Sequence, residues 1–175
     1  AEMVEREFPL TQLIKNTSNL GFPAANNQGM RTLRFPTPGG TIVAGTPRYA
    51  LLLNPDTELS SRALADMVAF MDFTPEAGAV GPKLVLPDGS LDLACRRSFP
   101  SPEVSFWRMM GLSRLFPRSR LFGRYNLTFL PEDETAEVDS VVGACMMVRA
   151  SVIYKIGMMD EKFFMYGEDL DWCKR

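Results

Sequence analysis

The sequence contains no histidine and only three cysteines in 175 residues. Without histidine there is no Ser-His-Asp or Cys-His nucleophilic centre, no imidazole ligand for zinc, and no side chain that ordinarily titrates near neutral pH. Acid–base chemistry therefore falls to carboxylates. Cys95, Cys145 and Cys173 are odd in number, far apart and free of any Cys-x-x-Cys spacing, which argues against zinc chelation and disulfide exchange; all three read as reduced structural residues. Long apolar runs are also missing. The longest, Val141 to Val148, is broken by Gly143 and falls far short of the roughly 20 residues a membrane-spanning helix needs. No basic segment followed by an apolar run and a small-residue cleavage site is visible, so the expected location is cytoplasmic, with contact at the inner membrane face left open.

What is present is ordinary for a globular protein: 46% apolar residues, 23% charged residues and a net charge of −2. A single domain over residues 1–175 is expected, with roughly 68–70% of the unfolded chain's surface buried on folding.

Thr11 to Lys15 reads as a short strand, and Pro23 to Phe35 as a helix entered through Gly21. Tyr49 to Leu53 is an apolar run ended by Asn54-Pro55-Asp56, the pattern of a buried parallel strand running into a loop. Ser60 or Ser61 is placed to cap a helix that continues to about Phe73. Ala79 to Leu86 predicts a strand, Pro87-Asp88-Gly89-Ser90 a hairpin turn, and Leu91 to Cys95 its return strand. Val138 to Val148 is strand-like, Ser151 to Ile156 a helical turn closed by Gly157, and Glu168 to Arg175 the start of a helix. This order implies an α/β fold with a mixed sheet and a ligand site at the strand C-termini, near Asn54 to Glu58.

Two acidic segments stand at element edges. Asp56 lies just past an apolar strand, where a carboxylate can share Mg²⁺ or Mn²⁺ with phosphate oxygens; the plainer reading is a turn or helix cap. Glu168 and Asp169 open a helix, where adjacent side chains point in different directions and one can face a cleft. The plainer reading there is a charged helix start favoured by the macrodipole.

The ordered set Asn19-Leu20-Gly21-Phe22, Asn26-Asn27-Gln28-Gly29, Leu51 to Asp56, Gly81-Pro82-Lys83, Val142 to Arg149, Gly157 to Phe164 and Gly167 to Asp171 resembles the inverting family 2 glycosyltransferases in order and spacing. The likeness runs from about Leu13 onward and is strongest to the branch with rhamnosyltransferases and other cell-wall or O-antigen sugar transferases. It implies a GT-A-like fold, a nucleotide-diphosphate sugar donor, a glycan or lipid-linked acceptor, and Mg²⁺ or Mn²⁺. Within it, Asn54-Pro55-Asp56 matches the metal motif, so the metal role falls on Asp56. Glu168-Asp169 matches the catalytic acidic pair near the acceptor, with Asp169 as the base and Glu168 orienting the acceptor or the base. Asn19, Gly21, Phe22, Asn26, Asn27, Gly29, Asn54 and Asp56 match the donor-binding positions.

The family's opening strands and its Asp-Asn-x-Ser element have no counterpart here, so the resemblance implies a GT-A-like sheet whose first βα unit is missing and a fragment with unpaired edges, prone to self-association. A non-catalytic module that keeps the fold is the competing reading. A nucleotidyltransferase is disfavoured because no Gly-rich basic phosphate loop is visible.

Residues 96–124 form an insertion with seven arginines and one acid, Glu103, a local charge of +6 that leaves −8 for the rest. Aromatic and aliphatic residues are interleaved with those charges. An anionic membrane surface, a nucleic-acid groove and an ordinary solvated face all use such parts, and nucleic acid ranks last for want of a motif. Met109, Met110, Met146, Met147, Met158, Met159 and Met165 read as core filler, and Arg149 as a surface or capping arginine with a phosphate contact as the alternative.

Overall fold

The computed structural model describes residues 1–175. Its elements in chain order are helix α1 (Glu2–Glu7), α2 (Phe22–Thr32), strand β1 (Tyr49–Leu53), α3 (Ala63–Phe73), β2 (Ala79–Val80), a 3₁₀ turn (Leu93–Cys95), α4 (Pro102–Met109), α5 (Leu112–Leu115), β3 (Cys145–Arg149), α6 (Ala150–Ile156) and α7 (Glu168–Lys174).

The three strands form one sheet in the order β1-β3-β2, and both pairings are antiparallel. The expected parallel direction of Tyr49–Leu53, and with it the mixed sheet, is therefore corrected to a small antiparallel sheet. A continuous apolar run reports burial on both faces. It carries no information on strand direction, which depends on a partner almost a hundred residues away: Tyr49 stands opposite Arg149.

The side chains of β3 alternate between two apolar clusters. Met146 and Val148 join Ala50 and Leu52 against Met30 of α2, Ile153 of α6 and Trp172 of α7. Cys145 and Met147 point to the other face, against Met67 and Met71 of α3. Enclosing Ile153 completely contributes roughly 1.5–3 kcal/mol. Arg149 closes the layer by donating from Nη2 to the carbonyls of Met71 at 2.6 Å and Thr74 at 3.1 Å, and from Nε to that of Ala77 at 3.1 Å. Met71 lies in the last turn of α3 and Thr74 and Ala77 just past it, so Arg149 caps the end of that helix.

Other expectations are revised. Thr11–Lys15 forms no strand. The strand expected over Ala79–Leu86 pairs only at Ala79–Val80: Gly81-Pro82 follows, and the proline has no N–H to give to the ladder although β3 continues opposite it. The turn at Pro87–Ser90 forms, with Gly89 N donating to Leu86 O at 2.8 Å, but the hairpin beyond it is one bridge, Val85 to Leu91, followed by the 3₁₀ turn. The N-cap of α3 is Arg62, with no capping side chain, in place of Ser60 or Ser61. Two helices, α4 and α5, occupy the segment read as an insertion; Ser101 caps α4 by accepting from Val104 N at 3.2 Å.

The core is small for the chain. A compact protein of this mass exposes about 8,600 Å². This chain exposes 11,672 Å², and only 28 of its residues are buried. Each outer strand keeps one unpaired edge, and Leu53 on β1 is 42% exposed.

Candidate functional site

The segment just before β3 brings the two acidic regions together. Asn54 N donates to Ala144 O at 2.8 Å, and Thr57 Oγ1 donates to the same carbonyl at 3.4 Å, which fixes the Asn54–Thr57 turn on Ala144. One residue earlier, Gly143 N donates to Asp169 Oδ2 at 3.2 Å. Both segments singled out as acidic edges thus hang from neighbouring peptides, whose Cα atoms lie about 3.8 Å apart.

Asp169 is buried in an ion pair. Arg97 Nη2 donates to its Oδ2 at 2.6 Å, with side-chain exposures of 12% and 9% for the arginine and the aspartate. The same nitrogen also reaches Val141 O at 3.2 Å. On the other oxygen, Oδ1 accepts from Leu170 N at 2.7 Å. A carboxylate has about four acceptor positions. Three are occupied within the chain, so the free one is on Oδ1.

Glu168 is 6% exposed, and its Oε2 is buried with no hydrogen-bond partner. Burial pushes its carboxyl above the ordinary value, and the nearby Asp169 charge pushes in the same direction, against the opposing pull of Arg97. The Nε of Arg97 is a second buried polar atom without a partner. An orphaned acceptor and an orphaned donor on two side chains of one cluster leave hydrogen-bonding capacity for a polar ligand or water.

The approach to these carboxylates is strained. Tyr166 holds φ at 70° and the next residue, Gly167, at 91°, immediately ahead of α7. A left-handed tyrosine costs about 1–3 kcal/mol, and such residues gather at binding sites. Its side chain is 83% exposed, beside Phe164 at 58%.

The amino-terminal motif packs against the same centre. Gly21 has φ of 85°, and a Cβ there would fall 2.6 Å from Phe164 O, so glycine is required on both counts. Asn19 accepts from Gly21 N at 2.9 Å, and Phe22 N donates to Phe164 O at 2.9 Å. The Phe22 ring lies beside Gly143, where an added Cβ would be 3.2 Å from Cε1. Asn26 is half-buried and donates to Phe22 O at 2.9 Å. Gly29 lies inside α2 with open space at its Cβ position. Asn27 is 1% exposed and fully engaged as a clamp: it donates to Met159 O at 2.8 Å and to Glu161 Oε1 at 2.9 Å, and accepts from Met159 N at 3.1 Å.

Asp56 is exposed at the rim of the Asn54–Thr57 turn. No group of three or more His, Cys, Asp or Glu side chains capable of holding a metal ion exists in the chain. The donor set therefore does not cage a cation unaided. A single exposed carboxylate fits a Mg²⁺ whose remaining ligands come from diphosphate oxygens and water.

Arg97 carries no motif that marks it out from the basic segment; its only local sign is the sequence Arg96-Arg97 directly after the Leu93–Cys95 turn. The three cysteines are unpaired, and burial pushes the thiols of Cys145 and Cys173 up, which suits inert structural residues.

An α/β chain whose acidic turn and helix-borne Asp169 hang from neighbouring peptides is matched over most of its length by two glycosyltransferases, and over a shorter stretch by an O-antigen biosynthesis protein. One is an N-acetylglucosaminyl-diphospho-decaprenol L-rhamnosyltransferase of Mycobacterium tuberculosis, 28% identical over 171 residues, covering 95% of this chain and 53% of the relative. Another is a low-salt glycan biosynthesis hexosyltransferase of Haloferax volcanii, 26% identical over 162 residues, covering 93% of this chain and 45% of the relative. The O-antigen biosynthesis protein RfbC of Myxococcus xanthus is 30% identical over 125 residues, 69% of this chain and 9% of that protein. The chain spans about half the length of the first two. No protein-family model matches it. No solved structure matches it.

Proposed function

We propose that this chain carries the catalytic base and part of the donor site of a GT-A-like, inverting family 2 glycosyltransferase. It would move a sugar, with rhamnose the first candidate, from a nucleotide-diphosphate donor to a hydroxyl of a glycan or lipid-linked acceptor. The observation that carries this reading is the convergence of the Asn54–Thr57 turn and Asp169 on Ala144 and Gly143.

Carboxylates are ionised at neutral pH unless their surroundings oppose it. The open position on Asp169 Oδ1 accepts the proton of the acceptor hydroxyl as that oxygen forms its bond to the anomeric carbon. On the opposite face the bond from that carbon to the diphosphate oxygen breaks, and the diphosphate leaves with the electron pair, which inverts the centre. Arg97 fixes the other carboxylate oxygen, and Glu168, buried next to Asp169, orients the acceptor or the base. Asp56 would hold Mg²⁺ or Mn²⁺, which neutralises charge on a leaving diphosphate when bound.

Asp169→Asn, expressed in the full-length transferase, is expected to lower kcat by about 10²–10⁴-fold with the fold intact, and retention of near-normal transfer would remove Asp169 from this role. Titration calorimetry with dTDP and UDP, with and without Mn²⁺, tests Asp56: metal-dependent binding that Asp56→Ala abolishes is the expected result. A second reading, a non-catalytic module that keeps the fold, draws support from the three hydrogen bonds already on Asp169. Nucleotide-sugar turnover separates the two. The free edges of β1 and β2 further support self-association, which light scattering measures.

A further inference from the structure

The cations of the chain fall into two populations. Outside residues 96–124, seven of twelve Lys and Arg side chains form ion pairs. Inside that segment, Arg96 and Arg97 turn inward, to the carbonyls of Leu130 and Pro131 and to Asp169. The other five, Arg108, Arg114, Arg118, Arg120 and Arg124, are exposed, and none has a carboxylate within ion-pairing distance. A molecule with net charge −2 and 21 acids thus leaves these five arginines without an ion pair.

The same surface is apolar to a degree that solvated arginine-rich faces are not. Met109 is 78% exposed, Leu115 68%, Met110 59%, Phe116 49%, and Phe106 and Leu121 46% each. Met109 and Met110 are thus corrected from core filler to surface residues, as is Met165 at 48%, whereas Met146, Met147 and Met159 are buried. An edge-to-face aromatic stack holds the surface in shape: Trp107 packs on Phe106 at 5.0 Å and on Phe122 at 5.2 Å, and Phe122 on Phe116 at 5.6 Å. Arg108 lies over Tyr125 at 4.6 Å, which anchors α4 to the chain that returns from the segment.

We propose that residues 102–124, built on α4 and α5, are a docking surface for an anionic lipid bilayer. Unpaired arginines meet the headgroup charge while the exposed Met, Leu and Phe side chains enter the acyl boundary. A nucleic-acid groove uses aromatic faces free to stack on bases. Here Trp107 and Phe122 are spent on each other, and the most exposed apolar groups are Met and Leu. No residue of 102–124 is among the hydrogen-bond partners of Asp169, so the proposal goes beyond the sugar-transfer reading.

The test is co-sedimentation of this chain with phosphatidylcholine vesicles with and without phosphatidylglycerol, in the absence of any sugar donor. Binding to the anionic vesicles alone, weakened by salt, is expected. Replacing Arg114, Arg118 and Arg124 together by Gln is expected to weaken it about a hundredfold, at about fivefold per arginine. Met109→Asp with Leu115→Asp is expected to abolish the binding that survives in high salt, and circular dichroism reports whether each variant remains folded. No binding to anionic vesicles, or equal binding to both lipids, overturns the proposal. So does binding of the same surface to duplex nucleic acid with the vesicles ignored. Since no sugar is present, failure here leaves the transfer reading untouched, and loss of transfer in Asp169→Asn leaves this one untouched.

Discussion

Arg97 and Arg118 lie only 21 positions apart in the same basic segment, yet the fold treats them oppositely. Arg97 is drawn in beside Ser140 and Val141, where its guanidinium faces Asp169 at 2.6 Å and both side chains are almost dry. Arg118 is exposed, without an ionic partner, among exposed Met, Leu and Phe. A charge removed from water must be paired, because its desolvation penalty is several kcal/mol. A charge left in water has no such requirement. The same residue type therefore marks a preorganised centre in one place and a surface open to a partner in the other.

Breaking the buried pair gives the largest expected effect. Arg97→Met strands a buried carboxylate and is expected to cost about 3–5 kcal/mol by denaturant unfolding; adding Asp169→Asn should recover part of that loss, as the double-mutant cycle measures. An unfolded Arg97→Lys variant would show that the geometry of the fork matters as much as the charge.

Glu168 sharpens the comparison from the other side, as a buried acid whose Oε2 finds no partner. Its carboxyl titrates above the ordinary value because burial disfavours the charged form. The folded state then holds this proton more tightly than the unfolded state. Its contribution to stability is complete below the unfolded value, near 4.3, and is lost as pH rises through the folded one. Glu168→Gln is accordingly expected to raise Tm at pH 7, with the gain fading toward pH 4, while transfer activity falls.

Ser101→Ala removes the side-chain cap of α4, which carries the docking surface, and is expected to cost about 1 kcal/mol in thermal unfolding. Smallest of all, Arg118→Ala should change stability by less than about 0.5 kcal/mol, the range for exposed sites without partners, although the site contributes to vesicle binding. A stability loss there as large as that at Arg97 would erase the distinction between the two regions.

Much of the local structure was legible without coordinates. Tyr49–Leu53 is a strand to the residue, and the Asp-Gly turn forms at Pro87–Ser90. Gly157 closes α6 and α7 begins at Glu168 as read. These features rest on backbone preferences and periodicities that act over a few residues. The strand expected at Thr11–Lys15 failed because alternation there finds no partner strand. The strand expected to reach Leu86 ends at Val80 because Pro82 cannot donate to the ladder, although β3 continues opposite it.

The candidate site divides along the same line. The absence of histidine by itself confined acid–base chemistry to carboxylates, and the sequence by itself separated a +6 segment from a −8 remainder. Tertiary structure alone decided that the sheet is antiparallel, that Met146 is buried while Met109 is exposed, that Asn27 clamps the Met159 loop, and that Arg97 meets Asp169 across 72 positions of chain. The reason is the range of the forces. Propensity and net charge are properties of neighbouring residues, whereas strand direction, desolvation and ion pairing exist only once distant segments share the space that excludes water.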